Sequence, residues 1–148
     1  MTVVAAPAAG RVIAISEVPD PVFSGQLVGP GVGIVPNDDA TTIVSPVAGT
    51  IVKLHPHAVA LQASTGLGVL VHLGIDTVKL KGEGFTVLAG EGDTVEAGTP
   101  LVTWDPVQVT AQGLSNIVVV VALDRPADSI SDARPGSDVA VGSPLFSA

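Results

Sequence analysis

The fold of this chain is organised around Val69–Phe85, which reads VLVHLGIDTVKLKGEGF. The stretch begins as an apolar strand with one histidine, His72, and bends at a glycine before an acidic residue, Asp76. A second alternating run and a GEG turn follow. Because successive side chains of a strand point to opposite faces, we expect Val71 to face a core while Leu70 and His72 face the other side.

The three histidines of the chain, His55, His57 and His72, are clustered in its centre. A lone histidine in a strand is usually an ordinary half-buried residue, but the clustering favours a functional pair. The spacing of fifteen residues between His57 and His72 suits two neighbouring antiparallel strands joined by a loop. A neutral imidazole, with an ordinary pKa of about 6.5, is a nucleophile near neutral pH and can accept a phosphoryl group without a deprotonating base.

A phosphoryl group adds about −1.5 to −2 charges at neutral pH, so such a site needs nearby donors and an environment that excludes water. We expect His57 to be a donor, and the apolar side chains of Val22, Phe23 and Leu70 to form the rim. This combination fits a transient phosphocarrier better than a hydrolase.

Composition predicts one all-β domain over residues 1–148. Hydrophobic residues make up 47% and charged residues 14%, with 17 Gly and 12 Pro. This profile is typical of a compact, turn-rich β protein. Short strands bounded by turn residues predict an antiparallel β sandwich or barrel with at most short helical turns.

The net charge of −8 makes nucleic acid an unfavourable partner and favours a basic protein partner. The absence of cysteine removes disulfides and thiol catalysis and is compatible with a reducing compartment. The longest apolar run, Ile117–Leu123, is too short to span a bilayer. We therefore expect a cytoplasmic protein without direct membrane insertion.

Two internal echoes predict duplicated β units. APAAGRVI at Ala6–Ile13 resembles SPVAGTIV at Ser45–Val52. GDTVEAGTPLV at Gly92–Val102 resembles GSDVAVGSPLF at Gly136–Phe146.

Local patterns predict several further elements. The prolines of Glu17–Pro36 exclude a long helix, and a central strand through most of that segment. Asp105 followed by Pro106 predicts the start of a short helix that extends to Leu114. Strands are predicted at Val3–Ala5, Arg11–Ser16, Ile117–Leu123 and Val139–Phe146, and a polar connection or helical turn at Asp124–Pro135.

Four blocks resemble a known family, the glucose-type enzyme IIA domains of the bacterial phosphoenolpyruvate-dependent sugar phosphotransferase system. They are DPVF at Asp20–Phe23, SPVAGTI at Ser45–Ile51, VHLGIDTVKLKGEGF at Val71–Phe85 and GDTVEAG at Gly92–Gly98. The resemblance runs from about Val3 to Phe146. It implies an antiparallel β sandwich or barrel with internal duplication.

The resemblance also implies a mechanism that needs no cofactor. His72 would take a phosphoryl group from the phosphocarrier histidine protein and pass it to a cysteine of the IIB domain of a membrane sugar permease. His57 would stabilise the phosphoryl group, and Asp20 and Asp76 would lie at the rim. Together with the apolar residues of the proline-rich segment, this gives the contact residues that we expect for partners, which include regulatory proteins: Asp20, Val22, Phe23, Leu27, Val28, Val59, Leu70 and Asp76. His55 has no family counterpart, because the KLHPH segment is two residues shorter than its usual equivalent.

Two alternatives stay open at this point. His72 with Asp76, and His55 with His57, have spacings suggestive of zinc ligation, as in a lysostaphin-like metallopeptidase, and His57 and His72 can also be read as a weak zinc site. SPVAGTIV and GDTVEAGTPLV resemble parts of a biotinyl or lipoyl carrier module. That module needs an exposed Lys at a hairpin tip, whereas Lys53, Lys79 and Lys81 lie in strand-like runs.

Overall fold

The computed structural model describes residues 1–148, in which thirteen β-strands are joined by two short α-helices and two 3-10 turns. The predicted all-β antiparallel architecture is confirmed. The strands are β1 (Val3–Ala5), β2 (Gly10–Ala14), β3 (Gly31–Pro36), β4 (Thr42–Val44), β5 (Gly49–His55), β6 (Ala58–Ala63), β7 (Gly68–Leu73), β8 (Thr86–Val87), β9 (Thr94–Val95), β10 (Pro100–Thr103), β11 (Val118–Ala122), β12 (Asp138–Val139) and β13 (Pro144–Ser147). The helices are α1 (Pro21–Ser24) and α2 (Pro106–Ala111), and the 3-10 turns cover Ile15–Glu17 and Thr77–Leu80.

The largest sheet has eight strands in the order β12-β2-β3-β11-β7-β6-β5-β9. Its two halves have matching arrangements about the β11–β7 pair, since β2 carries the edge strand β12 and β5 carries the edge strand β9. Smaller sheets pair β1 with β13 and place β10 between β4 and β8. The duplication predicted from the two sequence echoes is therefore present in the strand order.

The pairing of single residues also shows the duplication. Gly10 of β2 pairs with Val139 of β12, and Gly49 of β5 pairs with Val95 of β9. The two units also exchange backbone bonds where they meet: the Ala5 amide donates to the Pro46 carbonyl at 2.9 Å, and the Val44 amide donates to the Pro7 carbonyl at 3.0 Å. The proline of each echoed segment thus accepts a hydrogen bond from the residue that leads into the other echoed segment.

Two apolar clusters lie on opposite faces of the large sheet. The main core contains 27 buried residues, and a second cluster of seven buried residues includes Ile13, Phe23 and Val119. Every residue of β11 is buried because Val118, Val120 and Ala122 face the main core while Val119 and Val121 face the second cluster. This explains the uninterrupted apolar run that predicted a buried strand here.

The second cluster is covered by the proline-rich segment Glu17–Pro36. Its end forms β3, a central strand between β2 and β11, and the rest of the segment forms no strand, as predicted from its prolines. Pro36 ends β3, where a missing amide removes the least pairing. Gly33 of β3 leaves room for its cross-strand neighbour on β2, since a Cβ there would lie 2.8 Å from a side-chain carbon of Ile13.

Other local predictions hold with changed bounds. Asp105 caps α2 by accepting hydrogen bonds from the Val107 and Gln108 amides, but the helix ends at Ala111 instead of Leu114. The closing strand is divided by a turn into β12 and β13. The second alternating run of the central stretch is a 3-10 turn, Thr77–Leu80, and not a strand. Neither α-helix is long and apolar enough to span a membrane.

Candidate functional site

His72 lies near the end of β7 on the face that carries the second apolar cluster. Residues of β7 alternate between buried and partly buried, and His72 belongs to the partly buried set with Leu70. Its neighbours across the sheet are Ala58 of β6 and Val119 of β11. The alternation predicted from the sequence is confirmed.

One ring nitrogen of His72 is held by the backbone of the following turn. Nδ1 lies 2.6 Å from the carbonyl oxygen of Gly74. A carbonyl can only accept, so Nδ1 carries the proton and Nε2 of the neutral ring keeps its lone pair. Buried Thr77 supports the turn by donating its hydroxyl to the Leu73 carbonyl at 2.6 Å.

The three histidine rings form a continuous row. The His57 and His72 ring centroids are 5.3 Å apart with planes at 75°, an edge-to-face arrangement. His55 stacks on His57 with centroids 5.7 Å apart and planes at 25°. His57 occupies the two-residue connection between β5 and β6, and its carbonyl accepts a 2.7 Å hydrogen bond from the Leu73 amide. The sheet therefore brings together the two histidines that the spacing of fifteen residues paired.

The environment lowers the pKa of both central histidines below the ordinary value. Burial lowers the pKa of His72, partly opposed by the Gly74 hydrogen bond and by the charges of Asp20 and Asp76. Burial also lowers the pKa of His57, with smaller contributions from the neighbouring His72 and His55. Both rings are consequently held in the neutral form around neutral pH, and only a neutral imidazole is a nucleophile.

The short helix α1 places an aromatic ring and a carboxylate beside His72. The Phe23 ring centroid lies 5.2 Å from that of His72, with planes at 60°. Phe23 is only 6% exposed, because the second apolar cluster surrounds it. Asp20 caps α1 by accepting a 2.9 Å hydrogen bond from the Val22 amide, and Pro21 occupies the first turn. This fixes Asp20 at the edge of the site, where its charge acts on His72.

The remaining predicted contact residues differ in exposure. Leu27 is 74% exposed and Val22 is 43% exposed, so both present apolar surface next to the site segment. Asp76 is exposed at the far side of the bend, while Val28 and Leu70 are partly buried. Val59 does not belong to this surface: it is 0% exposed and packs in the main core, because its β6 position faces away from His72. The prediction of Val59 as a contact residue is corrected accordingly.

Sequence reasoning did not identify two residues that shape the site. Gly74 supplies the carbonyl for His72 and has a φ of +79°, and Thr77 fastens the same turn. A glycine and a threonine directly after the strand were the available signals. The stacking of His55 on His57 was also not anticipated, because a short hairpin turns the two rings toward each other only in the folded chain.

The chain contains no group of three or more His, Cys, Asp or Glu side chains placed to hold a metal ion. A catalytic zinc site uses three protein ligands, so this arrangement does not favour the metallopeptidase alternative. The carrier-module alternative needs a lysine at a hairpin tip, whereas Lys53 lies within β5, and Lys79 and Lys81 lie in and after the 3-10 turn. Weak zinc binding by His57 and His72 remains a prediction.

Comparison with known proteins relates the chain and its fold to components of a sugar phosphotransferase system. The model of the family described as "phosphoenolpyruvate-dependent sugar phosphotransferase system, EIIA 1" matches residues 2–127. A glucose-specific EIIA component from Staphylococcus aureus (strain COL) is 40% identical over 126 residues, covering 82% of this chain and 75% of the relative. A relative of the same description from Bacillus cereus is also 40% identical over 126 residues, covering 84% and 75%.

The solved structure of glucose permease IIA from Mycoplasma capricolum has a TM-score of 0.89 and 31% sequence identity to this chain. The structural match covers 98% of this chain and 94% of the Mycoplasma capricolum chain. The chain therefore belongs to the EIIA family of phosphoenolpyruvate-dependent sugar phosphotransferase systems, in its glucose-type branch. Membership implies a phosphotransferase role within such a system.

Proposed function

We propose that this protein carries phosphoryl groups on Nε2 of His72, between the phosphocarrier histidine protein and the IIB domain of a membrane sugar permease. The observation that carries the proposal is the 2.6 Å contact between Nδ1 of His72 and the Gly74 carbonyl. It directs the proton to Nδ1 and leaves the Nε2 lone pair for attack.

The transfer needs no general base. Nε2 of His72 attacks the phosphorus of the donor phosphohistidine, a nitrogen–phosphorus bond forms, and the donor's nitrogen–phosphorus bond breaks with its electron pair returning to the donor imidazole. Nδ1 keeps its proton throughout, held by Gly74. The second step repeats the exchange with a cysteine thiolate of IIB as the nucleophile. Positioning and charge stabilisation dominate such a reaction.

His57 is proposed to stabilise the phosphoryl group. Its ring meets His72 edge to face at 5.3 Å, close enough for an N–H to reach a phosphoryl oxygen on Nε2. The lowered pKa keeps His57 neutral before transfer, which spares the free site a repulsive pair of imidazolium charges. The arriving negative charge favours the protonated form, so His57 becomes a better donor when it is needed.

Docking is proposed to use the apolar surface of Val22 and Leu27 beside the carboxylates of Asp20 and Asp76. The exposed apolar side chains supply contact area, and the negative charges attract a basic partner surface. Phe23 and Leu70 line the inner edge, where they limit the access of water to the phosphoryl group. The glucose-specific description of the relatives makes a glucose permease the first IIB partner to test.

The test is incubation of the protein with phosphoenolpyruvate, enzyme I and the phosphocarrier protein, followed by mapping of acid-labile phosphate. We expect label on Nε2 of His72 by NMR and none on His72→Gln. His57→Gln should still accept phosphate but pass it to IIB slowly. An unlabelled wild-type protein, or label on another residue, would overturn the proposal.

The docking surface has a matched control. Val22 and Val141 are 43% and 48% exposed, but Val141 lies in the turn between β12 and β13, several strands away from β7 in the sheet order. Val22→Asp should raise the KM for the phosphocarrier, while Val141→Asp should not. Equal effects of the two substitutions would show that the surface around Val22 is not where the partner binds.

A further inference from the structure

His57 lacks the kind of support that orients His72. His72 contributes the one imidazole nitrogen among the side-chain hydrogen bonds of the chain, through its contact with Gly74. Neither ring nitrogen of His57 has such a partner, so no hydrogen bond within the chain selects its tautomer or ring angle. The backbone of His57 is held by the Leu73 amide, but that contact leaves the side-chain torsions free.

The ring of His55 stacks on the ring of His57. The two rings are close to parallel, at 25°, with centroids 5.7 Å apart, which is an offset stack. His55 ends β5 and pairs in register with Ala58, the first residue of β6. The two-residue connection between these positions therefore places the His55 and His57 side chains on the same side of the hairpin.

We propose that His55 is a positioning residue, whose ring fixes the His57 imidazole in its edge-on orientation toward His72. In this proposal each of the three histidines in the row His55–His57–His72 has a different role. His72 carries the phosphoryl group, His57 contacts it, and His55 restricts the His57 ring without touching the reacting atoms. The proposal rests on the proposed function for its kinetic consequences, but the orientation of the His57 ring can be measured without any phosphoryl transfer.

The orientation matters because His57 can stabilise a phosphoryl oxygen only when an N–H points at it. A ring that samples several angles about its side-chain torsions presents that donor for only part of the time, and ordering it during the reaction costs free energy. A stacked neighbour lowers this cost beforehand. The exposed position of His55 fits this role, since its removal leaves both apolar clusters intact.

The test compares His55→Ala, which removes the ring, with His55→Phe, which keeps a flat ring but cannot titrate or hydrogen-bond. Thr50→Ala, an exposed change at the far end of β5, serves as the control. We expect His55→Ala to accept phosphate on His72 at a rate within about twofold of wild type. Its onward transfer to IIB should fall by about two- to tenfold, the range that an aromatic pair contributes. His55→Phe should recover most of the loss, and Thr50→Ala should match wild type.

NMR of the His57 ring supplies the independent readout. In His55→Ala the ring signals should move toward values averaged over several orientations, and His55→Phe should restore one set of shifts. Unchanged His57 signals and unchanged onward transfer in His55→Ala would overturn the proposal, as would a His55→Phe protein as slow as His55→Ala. If wild-type His72 takes no label, the proposed function fails, and the NMR comparison still decides whether His55 orients His57.

Discussion

Nδ1 of His72 and the carbonyl oxygen of Gly74 are 2.6 Å apart, so the His72 ring is oriented by the turn that directly follows its own strand. The carbonyl is itself fixed, because the Gly74 amide donates to Ile117 and the Ile75 amide donates to Ser115, both at 3.0 Å. The tautomer of the ring thus depends on backbone geometry and not on a second titratable side chain.

Substitution of Gly74 should disrupt both the fold and the tautomer. Gly74 has a φ of +79°, and a Cβ there would lie 2.6 Å from Thr77 Cγ2 and 2.8 Å from the Ser115 carbonyl oxygen. We expect Gly74→Ala to lower the free energy of unfolding by about 3 kcal/mol or more, combining left-handed backbone strain with overpacking. Chemical denaturation measures the loss, and NMR of His72 should show a mixture of tautomers.

Gly66→Ala is the matched control for this change. Gly66 also has a positive φ, +97°, but no atom lies within 4 Å of its added Cβ. Gly66→Ala should lower the free energy of unfolding by about 1–2 kcal/mol, because it introduces backbone strain without close contacts. Equal losses at the two positions would show that the close contacts at Gly74 carry no energetic weight.

Phosphoryl acceptance should persist below the pH at which an ordinary histidine protonates. The pKa values of His57 and His72 are lowered, chiefly by burial, so the proposed nucleophile, His72, stays neutral as the pH falls through about 6.5. NMR titration should give midpoints below 6.5 for both rings. A midpoint for His72 at or above that value would contradict the burial argument.

Folding stability should also fall on acidification in this range. Lowered pKa values in the folded state mean that the unfolded chain binds more protons, so the free energy of unfolding is unaffected above pH 6.5 and decreases as the pH falls toward the folded pKa values. Comparison of wild type with His57→Gln between pH 7 and pH 5 isolates one of the two groups. The variant should lose stability less steeply, and identical slopes would argue against a lowered pKa for His57.

Salt should slow phosphorylation mainly through association. With a net charge of −8 and two carboxylates, Asp20 and Asp76, near His72, the protein attracts a basic partner over a distance that salt shortens. Stopped-flow measurement should show a falling association rate as ionic strength rises, and a weaker dependence in Asp76→Asn. A rate that stays constant from low to high salt would contradict electrostatic steering.

Two hydrogen bonds between Gln26 and Asp128 should hold in place the segment that carries Val22 and Leu27 of the proposed docking surface. The Gln26 side chain donates to the Asp128 carboxylate at 3.0 Å and accepts from the Asp128 amide at 2.8 Å, beside exposed Leu27. We expect Gln26→Ala to raise the KM for the phosphocarrier about two- to fivefold with little change in the rate at saturation, since about 1 kcal/mol is typical of such bonds. Asp128→Asn keeps the backbone amide that donates to Gln26, so it should raise the KM less. A lowered saturated rate with unchanged KM would place the role of Gln26 elsewhere.

Much of the site could be predicted because strand alternation is a local property. The β7 pattern placed His72 and Leu70 on one face, and the spacing to His57 suited an adjacent antiparallel strand, β6, which is the observed neighbour. Val59 was misplaced because the resemblance implied a contact position there. Its side chain follows the inward set of β6, and the pleat places that set in the main core.

Periodicity, turn residues and spacing are written along the chain, so the β class, the duplicated units and the histidine pair follow from the order of residues. What each imidazole can do follows from the packing of the folded chain. The carbonyl under His72 and the ring stacked on His57 come from residues two positions away, which the conformations of two turns bring into contact. The burial that lowers both pKa values arises when the strands and turns pack together. Desolvation and ring orientation are properties of that packed arrangement, so they cannot be read from the order of residues alone.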